Sequence, residues 1–375
     1  MPHVHEINDI DELAGYRLLW NHLLPQTRQA TFFQSLDWLE VYWRHFGHDQ
    51  RLRAVVVSAA EEPVGILPLV VRTETTTFGP VRTLTYPLHD WGSFYGPIGP
   101  NPTATLVVGL EHVRRTPRDW DLIDLRWIDA GLDAGRTPRA FAAAGFRPHE
   151  QVWAQTSFIE MTGTWQDYWK GRSRQWRLNV GRLERRLAEH GEVTYVRHRP
   201  DAAAHGDGEP RWDLYDACVD LSRRSWQGAS HSGTTLCHPN VETYLRQTHA
   251  AAASCGAVDM NLLVVDGKPA AFIYNYHYRG RVYGLRMGYD PDMARFGPGT
   301  VLTKKMIQDS FVRGDCLYDM GIGSCAYKRR WLTSTPMSTR YTHFPAAPRT
   351  QLLHAKRWLQ DRLRGREQIA LSRSA

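Results

Sequence analysis

Residues 288–305 read GYDPDMARFGPGTVLTKK. An apolar, aromatic stretch ends in Asp-Pro, passes through Gly-Pro-Gly and becomes helical. The first turn of a helix carries backbone N–H groups without intrahelical partners and a partial positive charge. A phosphate seated there gains hydrogen bonds and favourable electrostatics together. Glycines let the backbone approach such a ligand without a Cβ in the way. Gly297, Gly299 and Thr300 supply that approach, with Lys304 and Lys305 one turn further along. Pro298 has no N–H to give; it stiffens the turn. A turn of this composition also serves simply to redirect the chain, so its neighbours decide its meaning.

Those neighbours read as alternating strand and helix. MNLLVVDGKPAAFIYNYHY (260–278) is strand, Asp-Gly turn, strand. RVYGLRMGYD is a further strand, GTVLTKKMIQDSFVRG a helix and CLYDMGIG a strand. The first half of the chain has the same order. Two helical segments, DIDELAGYRLLWNHLL and TFFQSLDWLEVYWRHFG, lead into RLRAVVVSAAEEPVGILPLVVRTE, a hairpin; Leu36, Leu39, Tyr42, Trp43 and Phe46 share one face of the second. A Gly/Pro/aromatic loop, HDWGSFYGPIGP, a helix over TATLVVGLEHVRR and a strand over WDLIDLRWI follow. VVVSAAEEPVGILPLVV matches LLVVDGKPAAFIYNYHY, and DWDLIDL matches GDCLYDM, in the same order, which points to an ancient duplication. The expected fold is α/β in the mixed α+β sense: two tandem lobes, each a mixed, mostly antiparallel sheet flanked by helices. The expected boundaries are an N-terminal lobe over 1–160, a C-terminal lobe over 161–350 carrying the ligand turn, and a basic helix and tail over 351–375.

The segment GRSRQWRLNVGRLERRLAEHG joins the halves. Trp176, Val180, Leu183 and Leu187 make a one-sided stripe, while Arg172, Arg174, Arg177, Arg182, Arg185 and Arg186 populate the remaining surface. Such a surface is either a solvated basic face or a grip on phosphates. RTQLLHAKRWLQDRLRGRE is a second basic amphipathic helix, of a kind that can rest on a membrane surface.

At 375 residues, with 42% hydrophobic and 23% charged residues, the chain suits a globular protein of two cores. Its net charge of +7 favours anionic partners without identifying one. The first residues, MPHVHEINDIDELAGYR, lack a basic stretch followed by an apolar core, and no apolar run is long enough to span a bilayer. Cys218, Cys237, Cys255, Cys316 and Cys325 have no framework spacing, and Cys237-His238 lacks a second ligand pair. The expectation is a cytoplasmic protein with reduced thiols, no metal and no transmembrane segment.

Taken in order, LLVVDGKPAAFIYNYHY, GYDPDMARFGPGTVLTKKMI and YDMGIGSCAYKRRW resemble the CelD/BcsL family of GNAT-type acetyltransferases, linked by name to cellulose and exopolysaccharide biosynthesis. The elements that carry the likeness are Tyr289, Asp290, Pro291, Pro298, Gly299, Asp319, Gly323, Tyr327, Lys328 and Trp331. FFQSLDWLEVYWRHFG and RLNVGRLERRLAEHG extend it over roughly residues 30–345. The resemblance implies two GNAT-like lobes and transfer of an acyl group from acetyl-CoA or another acyl-CoA to a small-molecule or sugar acceptor, with no DNA partner. The donor would lie on Met287, Gly288, Tyr289, Arg295, Gly297, Gly299, Thr300 and Lys304, and the N-terminal lobe would not bind it. One departure concerns the general GNAT turn, Gln/Arg-x-x-Gly-x-Gly/Ala. It would put a basic or amide side chain at Ala294, whereas here the base is Arg295, one position later. The same double-lobed architecture occurs in FemAB-type transferases, which take aminoacyl groups from tRNA; no long helical-hairpin insertion of their sort is present.

For the chemistry, Tyr327 is the candidate to protonate the departing thiolate, and backbone N–H groups over 285–289 are candidates to polarise the carbonyl. Asp319 is either a general base or the group that orients the Tyr327 loop. Lys328 either reaches phosphate or pairs with an acid. Cys325 has no legible His–Asp arrangement around it for nucleophilic work. For the acceptor, LSRRSWQG and YPLHDWGSFYG offer Arg223, Arg224, Trp226, His89, Asp90 and Trp91, of which Trp226, Asp90 and Arg224 are the chosen contacts. A FemAB-like aminoacyl-tRNA-dependent transferase and a non-catalytic ligand-binding protein of an exopolysaccharide system stand as alternatives.

Overall fold

The computed structural model describes residues 2–89, 92–93, 96–231 and 233–373, with side chains described outside 88–95 and 364–373. In chain order the main strands are β1 (His3–Ile7), β2 (Gln50–Ala59), β3 (Glu62–Thr76), β4 (Gly79–Thr85), β5 (Leu122–Asp129), β6 (Pro148–Glu160), β7 (Val193–His198), β8 (Val258–Val265), β9 (Lys268–Tyr278), β10 (Arg281–Tyr289), β11 (Leu317–Ile322) and β12 (Met337–His343). The main helices are α1 (Leu36–Phe46), α2 (Pro102–Arg115), α3 (Arg174–His190), α4 (Trp212–Arg224), α5 (Pro239–Ser254), α6 (Pro298–Val312), α7 (Ala326–Arg329) and α8 (Pro348–Arg373).

The chain forms two compact units that interleave in sequence rather than follow one another. Unit 1 comprises Met1–Arg28, Phe46–Ala154 and Met337–Ala375; unit 2 comprises Gln29–His45 and Gln155–Pro336. Two segments therefore lie away from the half of the chain to which their numbers assign them. Most of α1 belongs to unit 2, and its aromatic content accounts for that. Phe32 and Phe33 meet the ring of Tyr276 edge-on at 4.9 and 5.7 Å, and Trp38 and Tyr42, stacked at 5.2 Å, are wholly buried. The strand β12, from beyond unit 2, completes the sheet of unit 1.

Inside each unit the strand order is the same. Unit 1 runs β1-β2-β3-β4-β5-β12 and unit 2 runs β7-β8-β9-β10-β11-β6. Neighbours are antiparallel except for one parallel pair in each, β4·β5 and β10·β11. The registers correspond: Thr83 faces Leu122 and Leu84 faces Ile123, as Arg281 faces Leu317 and Val282 faces Tyr318. Asp124 of unit 1 thus occupies the position of Asp319 in unit 2, and the duplication read from short sequence matches is a duplication of topology. The last strand of each sheet is the exception to sequence order: β6 ends in the sheet of unit 2, and β12 closes that of unit 1.

Local sequence explains the elements. Asp266 (φ 48°) and Gly267 (φ 74°) both sit in the left-handed region between β8 and β9. That is the backbone of a two-residue hairpin whose twist suits its strands, and Asp-Gly adopts it readily. The α3 stripe buries Trp176, Val180 and Leu187 in one core with Val301, Leu302, Met306 and Ile307 of α6, and Leu183 packs beside them. Among the described residues, no helix is long and apolar enough to cross a membrane.

A buried ionic cluster ties α6 to the sheet of unit 2. Asp259 on β8 accepts from Arg197 on β7 at 2.9 and 2.8 Å and from Arg199 at 3.2 Å. Arg197 also bonds Asp309 and Ser310 of α6, and Arg199 bonds Asp315. Burial pushes the Asp259 carboxyl up, but the two guanidinium groups outweigh it and hold the pKa well below the carboxylate range. The depressed value means that its stabilisation is fully present above the unfolded pKa of about 3.9 and is lost as pH falls below it. Asp259→Asn leaves two buried cations short of their partner and is expected to cost about 3–5 kcal/mol at pH 7 in urea unfolding. A loss under 1 kcal/mol would show that the cluster is not the tie.

Candidate functional site

The parallel ladder between β10 and β11 lasts three residues, Arg281–Tyr283 against Leu317–Asp319. Two features end it. On the β9 side, Tyr274 faces Arg286 while Asn275 faces Gly284, so Leu285 is an extra residue and β10 bulges there. On the β11 side, Gly284 lies so close that a Cβ would stand 2.9 Å from the Tyr318 hydroxyl and 3.1 Å from the Asp319 carbonyl. Beyond this point the backbone of Leu285–Tyr289 leaves the β11 ladder. Its far end is held by Gln227, a buried side chain whose amide donates to the Met287 carbonyl at 2.9 Å and whose oxygen accepts from Ser222 at 3.0 Å.

The chain then reverses at Asp290. Its carboxylate caps the 3₁₀ turn Pro291–Phe296 by accepting the Asp292 N–H at 3.0 Å, and it pairs with Arg224. Gly297 ends that turn and starts α6 at φ 60°, ψ 46°, with Leu183 of α3 only 2.8 Å from where a Cβ would be. Both the left-handed backbone and the close approach call for glycine. Gly299, buried in the first turn, lies against Tyr289 and Met287; a Cβ there would meet the Tyr289 ring at 3.4 Å. The Thr300 N–H bonds the Gly297 carbonyl at 3.0 Å. The strand end Met287–Gly288–Tyr289 and the turn Gly297–Thr300 are therefore neighbours, as their candidate roles require.

Tyr327, at the start of α7, reaches the same turn. Thr303 donates its hydroxyl hydrogen to the Gly299 carbonyl at 2.7 Å, so the Tyr327 phenol, 2.8 Å from the Thr303 oxygen, must be the donor of that second bond. Burial pushes the phenol's pKa above its usual value, with the Thr303 bond pulling weakly the other way. Tyr327 is thus a protonated hydroxyl tied by a two-bond relay to the first turn of α6. Asp319 accepts the Gly321 N–H at 2.8 Å. Gly321 has φ 79°, and this contact shapes the strand exit that leads to Tyr327.

Other sequence candidates have visible partners. Lys304 donates to both oxygens of Glu184, at 2.8 and 2.6 Å, which joins α6 to α3. Lys328 donates to the Ile322 carbonyl at 2.6 Å, and burial pushes its pKa down. Arg172 and Arg177 spend their guanidinium groups on backbone carbonyls, the first on Trp331 and Leu332, the second on Lys170 and Arg172. Arg174, Arg182, Arg185 and Arg186 are exposed. Trp226 is 66% exposed, next to the Gln227 anchor. Asp90 and Trp91 lie outside the described residues, as does the side chain of His89.

A groove of about 430 Å³ adjoins the turn, lined by Arg186, Glu189 and His190 of α3 and by Arg295 and Phe296. The rings of His190 and Phe296 stack at 4.3 Å, and the Arg295 guanidinium lies 4.7 Å from the Phe296 centroid. Sequence reading missed Thr303, Gln227, Gly284 and the Phe296–His190 stack. Thr303 had a signal, since it stands one turn after Gly299; the others are defined by what they touch.

Residues 174–329 match the acetyltransferase (GNAT) domain family. The whole fold is similar to FemX, with 12% identity, 93% of this chain and 99% of that chain covered and a TM-score of 0.63. It is also similar to the C-terminal domain of a protein designated a lysylphosphatidylglycerol synthetase from Agrobacterium fabrum (12% identity, 92% and 95% covered, TM-score 0.55). A third is the L-PGS of Bacillus licheniformis (11% identity, 85% and 95% covered, TM-score 0.52). At these identities the likeness is one of fold. A 146-residue stretch is 26% identical to the protein transport protein Sec16B of Gallus gallus, covering 36% of this chain and 15% of that protein. The fold is mixed α+β with tandem GNAT-like units, and the acetyltransferase-domain match falls on the unit that contains the Gly-Pro-Gly turn.

Gln227→Leu strands the Met287 carbonyl without its buried donor. The expected cost is about 1–3 kcal/mol in chemical denaturation, with faster amide exchange over 285–289. Unchanged exchange there would mean that the splayed strand is held by other contacts.

Proposed function

We propose that the protein is an acyl-CoA-dependent acyltransferase, moving an acetyl group to an amine on a sugar or another small metabolite. The observation that carries this reading is the junction of a splayed strand, a glycine-flanked helix start and a half-buried phenol within unit 2. What supports a pyrophosphate here is the start of α6 at Gly297–Gly299 beside a groove lined by Arg186 and Arg295; the glycines themselves are packed against Leu183 and Tyr289. The stacked Phe296 and His190 offer an aromatic surface of the kind on which an adenine rests. In this reading the donor stays with unit 2. The corresponding approach in unit 1 is filled by its own chain, since Ile98 exchanges backbone bonds with Ile66 at 2.9 and 2.8 Å and Gly65 packs on Thr105 of α2.

The chemistry follows from the residues around the turn. The acceptor amine attacks the thioester carbonyl, whose oxygen takes on negative charge that backbone N–H groups of the 285–289 segment facing away from β9 stabilise. The C–S bond breaks, the Tyr327 O–H turns from Thr303 to the thiolate and gives up its proton, and the surplus proton of the amine passes to solvent, from which the phenolate is reprotonated. Its two-bond link to Gly299 holds the acid in register with the turn that binds the donor. Asp319, through Gly321, positions the loop rather than taking the amine proton. Trp226 and Arg224 flank the strand end as acceptor contacts, and Lys328 stiffens the Ile322 exit. The resemblance to the CelD/BcsL family directs the search for acceptors to amino sugars of exopolysaccharide synthesis.

A second reading has its own support. The exposed Arg174, Arg182, Arg185 and Arg186 of α3 suit a phosphate backbone, as an aminoacyl-tRNA donor requires. Calorimetric titration with acetyl-CoA separates the two. Micromolar binding to the wild type that disappears in Gly299→Glu is expected; no binding to the wild type overturns the acyl-CoA reading and turns the search to aminoacyl-tRNA.

Tyr327→Phe is expected to lower kcat by about 10²-fold with little change in KM for acetyl-CoA. Because the phenol must be protonated and its pKa is raised, kcat should show no downturn from loss of this acid between pH 7 and pH 10. A Tyr327→Phe enzyme with full kcat would remove the phenol from the mechanism.

A further inference from the structure

The last helix, α8, meets unit 1 through one face. Leu353 joins Val81, Leu122 and Phe344 in a small apolar core, and His354 stacks on Phe344 at 4.8 Å. Arg357 donates to the Thr342 hydroxyl at 2.8 Å. Asp361 accepts from Gln151 at 2.5 Å and pairs with His149 at 3.1 Å. The opposite face is apolar and open. Leu352, Leu359 and Leu363 are 52–54% exposed. At 3.6 residues per turn they fall within about 40° of one another on the helix surface. Singly exposed leucines are ordinary, but three in one stripe form a patch that none of the contacts above uses.

Basic and aromatic side chains border that stripe. Around the helix, Arg349 and Lys356 lie along one edge, and Arg362 and Trp358 along the other. The Arg362 guanidinium covers the exposed Trp358 ring, 3.9 Å from its centroid. Arg349 donates to the Pro80 carbonyl at 2.9 Å and Lys356 to the Thr77 hydroxyl, so both turn towards the tip of the β3–β4 hairpin. Phe78 stands exposed at that tip. The acceptors are neutral, and among the described residues none of the three cations has a carboxylate within ion-pair distance. Asp361, the acidic residue of α8 whose side chain is described, points the other way, into His149 and Gln151.

The composition of this face selects its partner. Two copies of the chain meeting through it would set basic edges against basic edges. A lipid surface supplies what the face calls for: an apolar interior to receive leucines, an interface in which a Trp ring rests, and phosphates for the cations. Arg and Lys reach those phosphates on long apolar stems that lie along the acyl boundary. We infer that α8 of unit 1, with the Phe78 turn beside it, is a peripheral docking surface for an anionic lipid bilayer. Leu352, Leu359 and Leu363 enter the acyl boundary, and Arg349, Lys356 and Arg362 meet headgroup phosphates. The helix lies along the surface and does not cross it. This inference is independent of the donor reading, which concerns unit 2.

The test is co-sedimentation of the full chain with vesicles of phosphatidylcholine alone and with vesicles of phosphatidylserine and phosphatidylcholine in about a 1:2 ratio. The wild type is expected to bind the anionic vesicles about tenfold more tightly than the neutral ones, and to lose most of that advantage in about 0.5 M salt, where the charges are screened. Leu359→Glu is expected to weaken binding by about tenfold or more while moving Tm by no more than about 1 °C, since its side chain is half open. Arg362→Gln keeps the stripe intact and weakens binding to the anionic vesicles by about fivefold. Leu18→Glu, at an exposed leucine elsewhere in unit 1, binds like the wild type. The inference is overturned if the wild type binds neither vesicle, if it binds both equally, or if Leu359→Glu binds as the wild type does. It is overturned as well if ultracentrifugation shows a wild-type dimer that Leu359→Glu separates, which assigns the face to a second copy.

Discussion

The three-residue ladder between β10 and β11 is the constraint on which the candidate site depends. A longer parallel pairing would consume the backbone of Leu285–Tyr289 in sheet hydrogen bonds and close the space beside the helix start. Gly284 and the bulge at Leu285 stop it. Beyond that ladder β10 stays paired with β9, and Gln227 adds a hold from outside the sheet through the Met287 carbonyl. The turn follows directly, with Asp290 capping one end of the 3₁₀ segment and Gly297 the other. Each step is local, but the result is a strand end, a helix N-terminus and a phenol within one hydrogen-bonded neighbourhood.

How much of this could be read beforehand depends on the range of the interactions. The strands around the Asp266-Gly267 hairpin, the α3 stripe and α6 were legible because period and turn chemistry act over a few residues. The match of DWDLIDL with GDCLYDM was legible too, and it survives as an equality of register between Asp124 and Asp319. The assignment of segments to units was not. Nothing in the spacing of α1 says that Phe32 and Phe33 pack on Tyr276, or that β12 pairs with β5 rather than staying with the strands that precede it. Those are contacts across long stretches of chain, and periodicity carries no information about them.

The candidate side chains divide along the same line. Gly297 and Gly299 were chosen for letting a ligand approach the backbone; the structure gives them a different reason, a left-handed backbone at Gly297 and close packing on Leu183 and Tyr289. Lys304 was chosen for its charge one turn into α6, and that charge is met by Glu184. Charge alone says that a lysine can reach an anion, and an acidic neighbour one helix away satisfies it as well as a phosphate. Thr303 shows the converse. An uncharged residue that drew no notice is the link between Tyr327 and the turn, because a hydroxyl has one hydrogen and two directions in which to bond.

The two aspartates show why duplication complicates inference from pattern. Asp319 and Asp124 share a register, a strand and flanking sequence, yet one accepts a backbone N–H at a glycine exit and the other is enclosed by guanidinium groups. The difference arises from the strand that closes each sheet. β12 brings Arg340 and Thr342 alongside Asp124, whereas β6 brings Phe158 opposite Asp319. A carboxylate beside arginines becomes a fixed counter-charge, held ionised and unable to take a proton near neutral pH. Removing that constraint, as the aromatic neighbour on β6 does, frees the same position to shape a loop instead. The chemistry of each unit is therefore set less by its conserved-looking core motif than by the strand the chain delivers last.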